Sequence, residues 1–197
     1  MSALAPVAFR FDRITHAYSD EQGVVLPHIT GMLETAGLID STWYTDDASE
    51  RGTAVHDLTA AFDLGALDVG SLVGCYRPWV LAHVEAMAML SPRFHAIEEA
   101  EVHPQYRFGG RPDRVCTIFG GRGVLEIKTG APELSHQVQT ALQVILVAWR
   151  RRLPPTSYVR LALYLRHTGK YVLQHHRDNR DFDRAYEVIK ETCHGGD

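Results

Sequence analysis

A chain of 197 residues with 45% apolar and 22% charged residues has the length of one domain with a single core and the composition of an ordinary globular protein. Its formal net charge of −4 excludes a generic nucleic-acid coat but leaves room for a local basic track around an acidic metal site. Cys75, Cys116 and Cys193 are widely spaced with no C-x-x-C, which excludes a disulfide scaffold and a structural zinc site, so a reducing, cytoplasmic setting is expected. There is no basic-then-apolar leader and no run of about eighteen apolar residues, so neither a signal peptide nor a membrane span is expected.

Phe9 to Tyr18 has strand character, Asp20-Glu21-Gln22-Gly23 reads as a turn and Val24-Val25-Leu26 as a returning strand, so the chain opens on a small hairpin. Thr30 to Leu38 predicts a short helix, with Met32, Leu33 and Ala36 apolar and a break at Gly37. His16 and His28 read as surface or turn histidines. From Ser49 to Phe62, Val55, Leu58 and Phe62 mark an apolar helical face. His56 lies beside that face, one turn after Gly52, where the missing side chain lets a backbone or a phosphate approach; the plainer alternative is a partly buried histidine hydrogen-bonded to a neighbour. Cys75 to Leu90 predicts an amphipathic helix closed by Ser91-Pro92. Ile97 to Val102 reads as one strand with Glu99 and Glu101 on one face, which makes Glu101 a candidate acidic group.

The chemistry concentrates in the next stretch. Gly110-Arg111-Pro112-Asp113 precedes the β-prone run Val115 to Ile118, and Gly120-Gly121 separates that run from Val124-Leu125-Glu126-Ile127-Lys128. With the two glycines as the loop of a hairpin, Asp113 faces Lys128 and Val115 faces Glu126. Alternate residues share a face, so Asp113, Glu126 and Lys128 project from one side of the sheet. Two carboxylates and an amine so placed hold a divalent cation and a water next to a phosphodiester. The cation neutralises developing phosphoryl charge, and the lysine orients the water or stabilises the oxyanion. The plainer alternative is a turn at Arg111-Pro112-Asp113 and a solvated cross-strand pair of Glu126 and Lys128.

Leu134 to Arg150 predicts a helix with Val138, Leu142, Ile145, Leu146 and Trp149 inward. Gln139 and Gln143 sit one turn apart on the other flank, placed to reach a nucleic-acid backbone, to orient the lysine, or simply to meet solvent. Arg150-Arg151-Arg152 complements the helix dipole and offers phosphate contacts. Beyond Pro154-Pro155, Tyr158 to Leu165 alternates as a strand, Thr168-Gly169 turns into Tyr171 to Leu173, and Asp181 to Thr192 predicts a terminal helix.

In this order the motifs resemble the RecB-like branch of the PD-(D/E)xK nuclease superfamily, which includes lambda-type exonucleases and the nuclease domains of RecB and AddB. That branch carries G-x-x-x-H on a helix, then G-x-x-D, (D/E)-x-K and a helical Q-x-x-x-Y. Here these are Gly52 to His56, Gly110 to Asp113, Glu126 to Lys128, and Gln139 to Gln143, with Gln143 where the family has tyrosine. The leading block from His16 to Thr30 is similar to the N-terminal hairpin of phage and prophage members.

The resemblance implies an α/β fold with a mixed central sheet flanked by helices. It implies one nuclease domain over 1–197, divided into a hairpin and short helix (1–47), a catalytic core (48–175) and a C-terminal helix (176–197). It also implies metal-dependent hydrolysis of DNA, most simply from an end, with a structure-specific endonuclease or a catalytically inactive DNA-binding or scaffold derivative as alternatives. Carried over residue by residue, His56, Asp113 and Glu126 are side-chain ligands of one or two Mg or Mn ions, with the carbonyl of Ile127 as a further ligand. Lys128 is the catalytic lysine. Gln139, Gln143, Arg51, Arg111 and Glu101 are DNA-binding or site-organising candidates. Some relatives hold an iron–sulfur cluster on four cysteines; three scattered cysteines imply none here. DNA is the expected partner, alongside a recombination or replication protein and an oligomer of the chain itself.

Overall fold

The computed structural model describes residues 7–40 and 45–193. Residues 1–6 and 41–44 of the leading block and 194–197 of the C-terminal segment lie outside the described residues. The chain forms an α/β fold around a mixed five-stranded sheet. Its strands are β4 (Arg93–Ile97), β7 (Arg114–Ile118), β8 (Gly121–Lys128), β9 (Val159–Leu165) and β10 (Tyr171–His175), and they lie in the order β10-β9-β8-β7-β4. All neighbours are antiparallel except β8 and β9, which run parallel because helix α4 (Ser135–Ala148) returns the chain between them. No helix among the described residues is long and apolar enough to cross a membrane.

Alternation along the strands sends side chains to two helical layers. Cys116, Ile118, Leu125, Ile127, Leu161 and Leu163 pack with Val55 of α2 (Asp46–Asp63) and with Ala82, Ala86 and Met87 of α3 (Arg77–Leu90). On the opposite face, Val124 and Tyr158 meet α4, α5 (Arg180–Cys193) and α1 (Ile29–Thr35). Because the central strands are covered on both faces, their apolar runs are nearly continuous. The charged residues Arg114, Asp113 and Glu126 are buried among them, which marks where the fold serves something other than packing.

The β7–β8 hairpin forms, in a register two residues from the expected one. Ile118 pairs with Gly121, so the loop is Phe119-Gly120 rather than Gly120-Gly121. Both loop residues have positive φ, 51° and 78°, as a two-residue turn matched to strand twist requires. Gly121 is held inside the strand by β9, since a Cβ there would lie 3.2 Å from the Val159 side chain. A shift of two preserves which face each residue occupies. One step beyond the Arg114–Leu125 pair, Asp113 therefore stands against Glu126 rather than Lys128.

The leading segment is a three-stranded meander rather than one hairpin: β1 (Phe9–Phe11), β2 (Tyr18–Asp20) and β3 (Val25–Leu26). Asp12 breaks the expected long strand, its Oδ1 accepting from Ile14 N and Thr15 N at 2.8 and 3.1 Å. The expected Ile97–Val102 strand is also two pieces. β4 stops at Ile97, Glu98 takes φ 51°, and β5 (Glu101–Val102) pairs with β6 (Gly109–Gly110) in a separate ribbon. A Cβ on Gly110 would lie 2.5 Å from Ile29 Cδ1 and 2.8 Å from Leu146 Cδ2, so a side chain there would displace the packing of α1 and α4 against this ribbon three residues before Asp113.

Candidate metal and phosphate site

The end of the sheet where β4 and β8 finish and β7 begins opens into a cleft of about 580 Å³. His56, Asp113, Glu126, Lys128, Gln139 and Gln143 all line it. His56 reaches this edge from α2, whose start is fixed by Thr45 Oγ1 accepting from Ala48 N and by Asp46 and Asp47 in the first turn. A Cβ on Gly52 would meet nothing within 4 Å, so the space one turn before His56 stays open.

Three ligating atoms converge. His56 Nδ1 lies 3.2 Å from Asp113 Oδ1 and 3.4 Å from Glu98 Oε1, and the three groups fall within 4.8 Å of one another. Ligands on an edge of an octahedral Mg or Mn shell are about 3.0 Å apart for bonds near 2.1 Å. The two separations from the imidazole nitrogen are close to such an edge, and one nitrogen with two carboxylates is a donor set for such an ion. Burial alone pulls the His56 pKa down, but the charges and hydrogen bonds of Asp113 and Glu98 outweigh it and raise it to about 10. Without a metal, the two carboxylates favour the protonated imidazole, so proton and cation compete for the same nitrogen.

Glu98 is the acid of this trio that sequence reasoning missed, and Glu101, the acidic candidate it named, lies elsewhere. Glu101 lies on β5 and pairs with Arg150 at 2.5 Å, away from the trio. Glu98 sits beside Asp113 because β4 pairs with β7 and the Glu98 amide donates to the Asp113 carbonyl at 3.0 Å. Its left-handed backbone resets the strand alternation, so counting from Ile97 to Val102 selects the wrong face. The legible signal was position: the first acid after a strand that abuts Asp113.

Glu126, expected as a ligand with His56, Asp113 and the Ile127 carbonyl, is not one of the three groups that converge. Its two oxygens accept from Gln139 Nε2 and Gln143 Nε2, both at 2.6 Å, and Lys128 Nζ is 3.0 Å from Oε1. Gln139 Oε1 in turn accepts from Lys128 Nζ at 2.8 Å, so one amide orients both the acid and the lysine. Gln143 supplies an amide donor where the family pattern has a tyrosine. Ile127 meets the site through its N–H, which donates to Asp113 Oδ2 at 2.6 Å.

A buried base supports these groups. Arg114, fully buried, donates to the Asp113 carbonyl at 2.8 Å and to Thr59 Oγ1 at 3.3 Å, and lies 3.5 Å from Glu98 Oε1. Its Nε is 2.6 Å from Asp63, which His83 also contacts at 2.9 Å. Deleting one partner of such a buried pair costs about 3–5 kcal/mol. Arg111 lies 3.1 Å from the other Glu98 oxygen and stacks 5.7 Å over Phe11, tying the leading meander to the site. Arg51 faces a neighbouring recess and lies 6.0 Å over Trp79. Comparison with family models and with curated proteins finds no significant match. The functional reading therefore rests on geometry and on the motif resemblance.

Proposed function

We propose that the protein is a metal-dependent deoxyribonuclease of the PD-(D/E)xK kind that hydrolyses phosphodiester bonds from DNA ends. The observation that carries this reading is the meeting, in one cleft, of the His56–Glu98–Asp113 trio with a Glu126–Lys128 pair held by two glutamine amides. A Mg or Mn ion, when bound, supplies Lewis acidity and charge neutralisation. His56, Glu98 and Asp113 would hold it. Glu126, gripped by Gln139 and Gln143, would orient a water beside it. Lys128, positioned by Gln139, donates to the attacking water or to the non-bridging oxygen as it gains charge. Arg13, Arg111 and Lys128 give the cleft cationic points for the phosphate backbone despite the overall negative charge.

The described residues form no separate sequence-reading module, so the base preference of this chain is expected to be weak and a free end to be required. The test is end-labelled linear against closed circular DNA, single- and double-stranded, with Mg or Mn. Progressive shortening of linear substrate, with circles left intact, is the expected result. Discrete fragments from circles reassign the protein to endonucleases, and no cleavage of any substrate overturns the reading.

A further inference from the structure

Beside the main cleft lies a smaller recess of about 320 Å³, and Gly52, His56 and Lys128 line both. Its other polar walls are Ser49, Arg51, Thr129, Glu133 and His136. His136, on the first turn of α4, is only 7% exposed. Its Nδ1 is taken twice: the Glu133 amide donates to it at 3.3 Å, and the Tyr164 hydroxyl lies 2.9 Å away. A main-chain N–H can only donate, so Nδ1 carries the lone pair and the ring proton sits on Nε2. Among the described residues nothing pairs with Nε2, so a nine-tenths buried imidazole presents an unused donor to a recess that also holds Arg51 and Lys128. The acid on this wall, Glu133, is engaged by Ser135 Oγ at 3.3 Å.

Two donors of positive charge and one N–H donor match an anion with several oxygens. The wall shared with the main cleft places that anion next to the reacting phosphate along one strand. We propose that the recess seats the neighbouring phosphate of the bound DNA strand, with His136 Nε2–H donating to a phosphoryl oxygen beside Lys128. This rests on the nuclease reading. Burial, and then the Lys128 charge, hold the His136 pKa down to about 4, so the donor is present without adding a second charge beside the lysine.

The probe is a thymidine hexanucleotide in EDTA, followed by fluorescence anisotropy, so that no cleavage is needed. His136→Leu removes the donor and should weaken binding roughly tenfold, as for a hydrogen bond to a charged group. His136→Gln keeps an amide N–H near the Nε2 position and should stay within about threefold of wild type. Mn affinity should be unchanged in both, and in cleavage assays the loss should fall on KM rather than kcat. In the wild type, ¹⁵N NMR should show the Nε2–H tautomer and a shift of that resonance on adding the hexanucleotide. A Gln variant as weak as the Leu variant, an Nδ1–H tautomer, or a resonance that does not respond overturns the proposal. Binding through His136 without cleavage of any DNA overturns the nuclease reading alone. Cleavage with unaltered KM in His136→Leu overturns the phosphate seat alone.

Discussion

His56 and His136 line the same recess from α2 and α4, and their pKa values are displaced in opposite directions. Burial disfavours the charged form of both. At His56 the contacts are the carboxylates Asp113 and Glu98, which overcome burial and lift the pKa to about 10. At His136 the contacts are a hydroxyl and a main-chain N–H, and burial, reinforced by Lys128 and only partly countered by Glu126, leaves it at about 4. The side chain in direct contact decides the sign, because desolvation acts alike on both.

The largest expected effect breaks the comparison at Lys128, which stands between the two. Lys128→Ala should lower DNA cleavage at saturating Mn by about 10²–10³-fold, the usual loss for a donor aimed at developing negative charge. Mn affinity measured by calorimetry should be nearly unchanged, because the amine serves water and phosphate rather than the ion. Asp113→Asn should remove both properties. Substantial residual cleavage by Lys128→Ala at saturating Mn would take the lysine out of the mechanism.

A smaller effect sharpens the cation side. An imidazole nitrogen adds affinity for Mn over Mg, whereas oxygens alone suit Mg. His56→Ala should therefore lower the Mn-to-Mg affinity ratio by about tenfold, and Glu98→Gln should weaken both ions. Glu101→Gln should leave both within about twofold, since its carboxylate is held by Arg150. Paired metal titrations at neutral pH decide it. An unchanged ratio in His56→Ala makes that histidine a structural residue of α2, and an effect at Glu101 in place of Glu98 means the third acid has been assigned wrongly.

These residues also show what a sequence can reveal. Asp113, Glu126 and Lys128 were legible because a strand's side-chain period is two, and a loop shifted by two residues leaves every face unchanged, while Gln139 was legible from the helical period of α4. His56 was legible from the open turn that Gly52 creates. Glu98 was not, because a single left-handed residue reverses the side-chain alternation beyond it, and nothing in the run Glu98-Glu99-Ala100-Glu101 says where the strand stops. His136 was hidden for another reason. Its role depends on Tyr164, which the β8–α4–β9 crossover brings beside it from 28 residues away.

The smallest expected effect is in the stability of the metal-free protein, where the two kinds of histidine pull against each other. His103, His136 and His176 are each held at about 4 by burial, against an ordinary value of 6.5, so as pH falls below 6.5 the unfolded chain takes up protons that the folded protein refuses. Their contribution is complete above pH 6.5 and is lost as pH falls from there toward 4, by up to about 1.4 kcal/mol per pH unit for each proton. His56 runs the other way: its raised value stabilises the fold fully below 6.5, and that contribution is lost as pH rises toward 10. Urea unfolding in EDTA should therefore be most resistant near pH 6.5 and weaken on both sides. His176 offers the cleanest acid-side test, because its Nε2 is buried without a partner among the described residues, while Thr140 Oγ1, which touches its Nδ1, keeps the Gln137 carbonyl at 3.0 Å. His176→Leu should leave stability at neutral pH within about 1 kcal/mol of wild type and reduce the acid-side slope by about one proton. His56→Ala should instead flatten the alkaline side and leave the acid slope alone. If His176→Leu leaves the acid slope intact, the folded protein already admits a proton there, and burial does not separate His176 from His56 in the way these two environments imply.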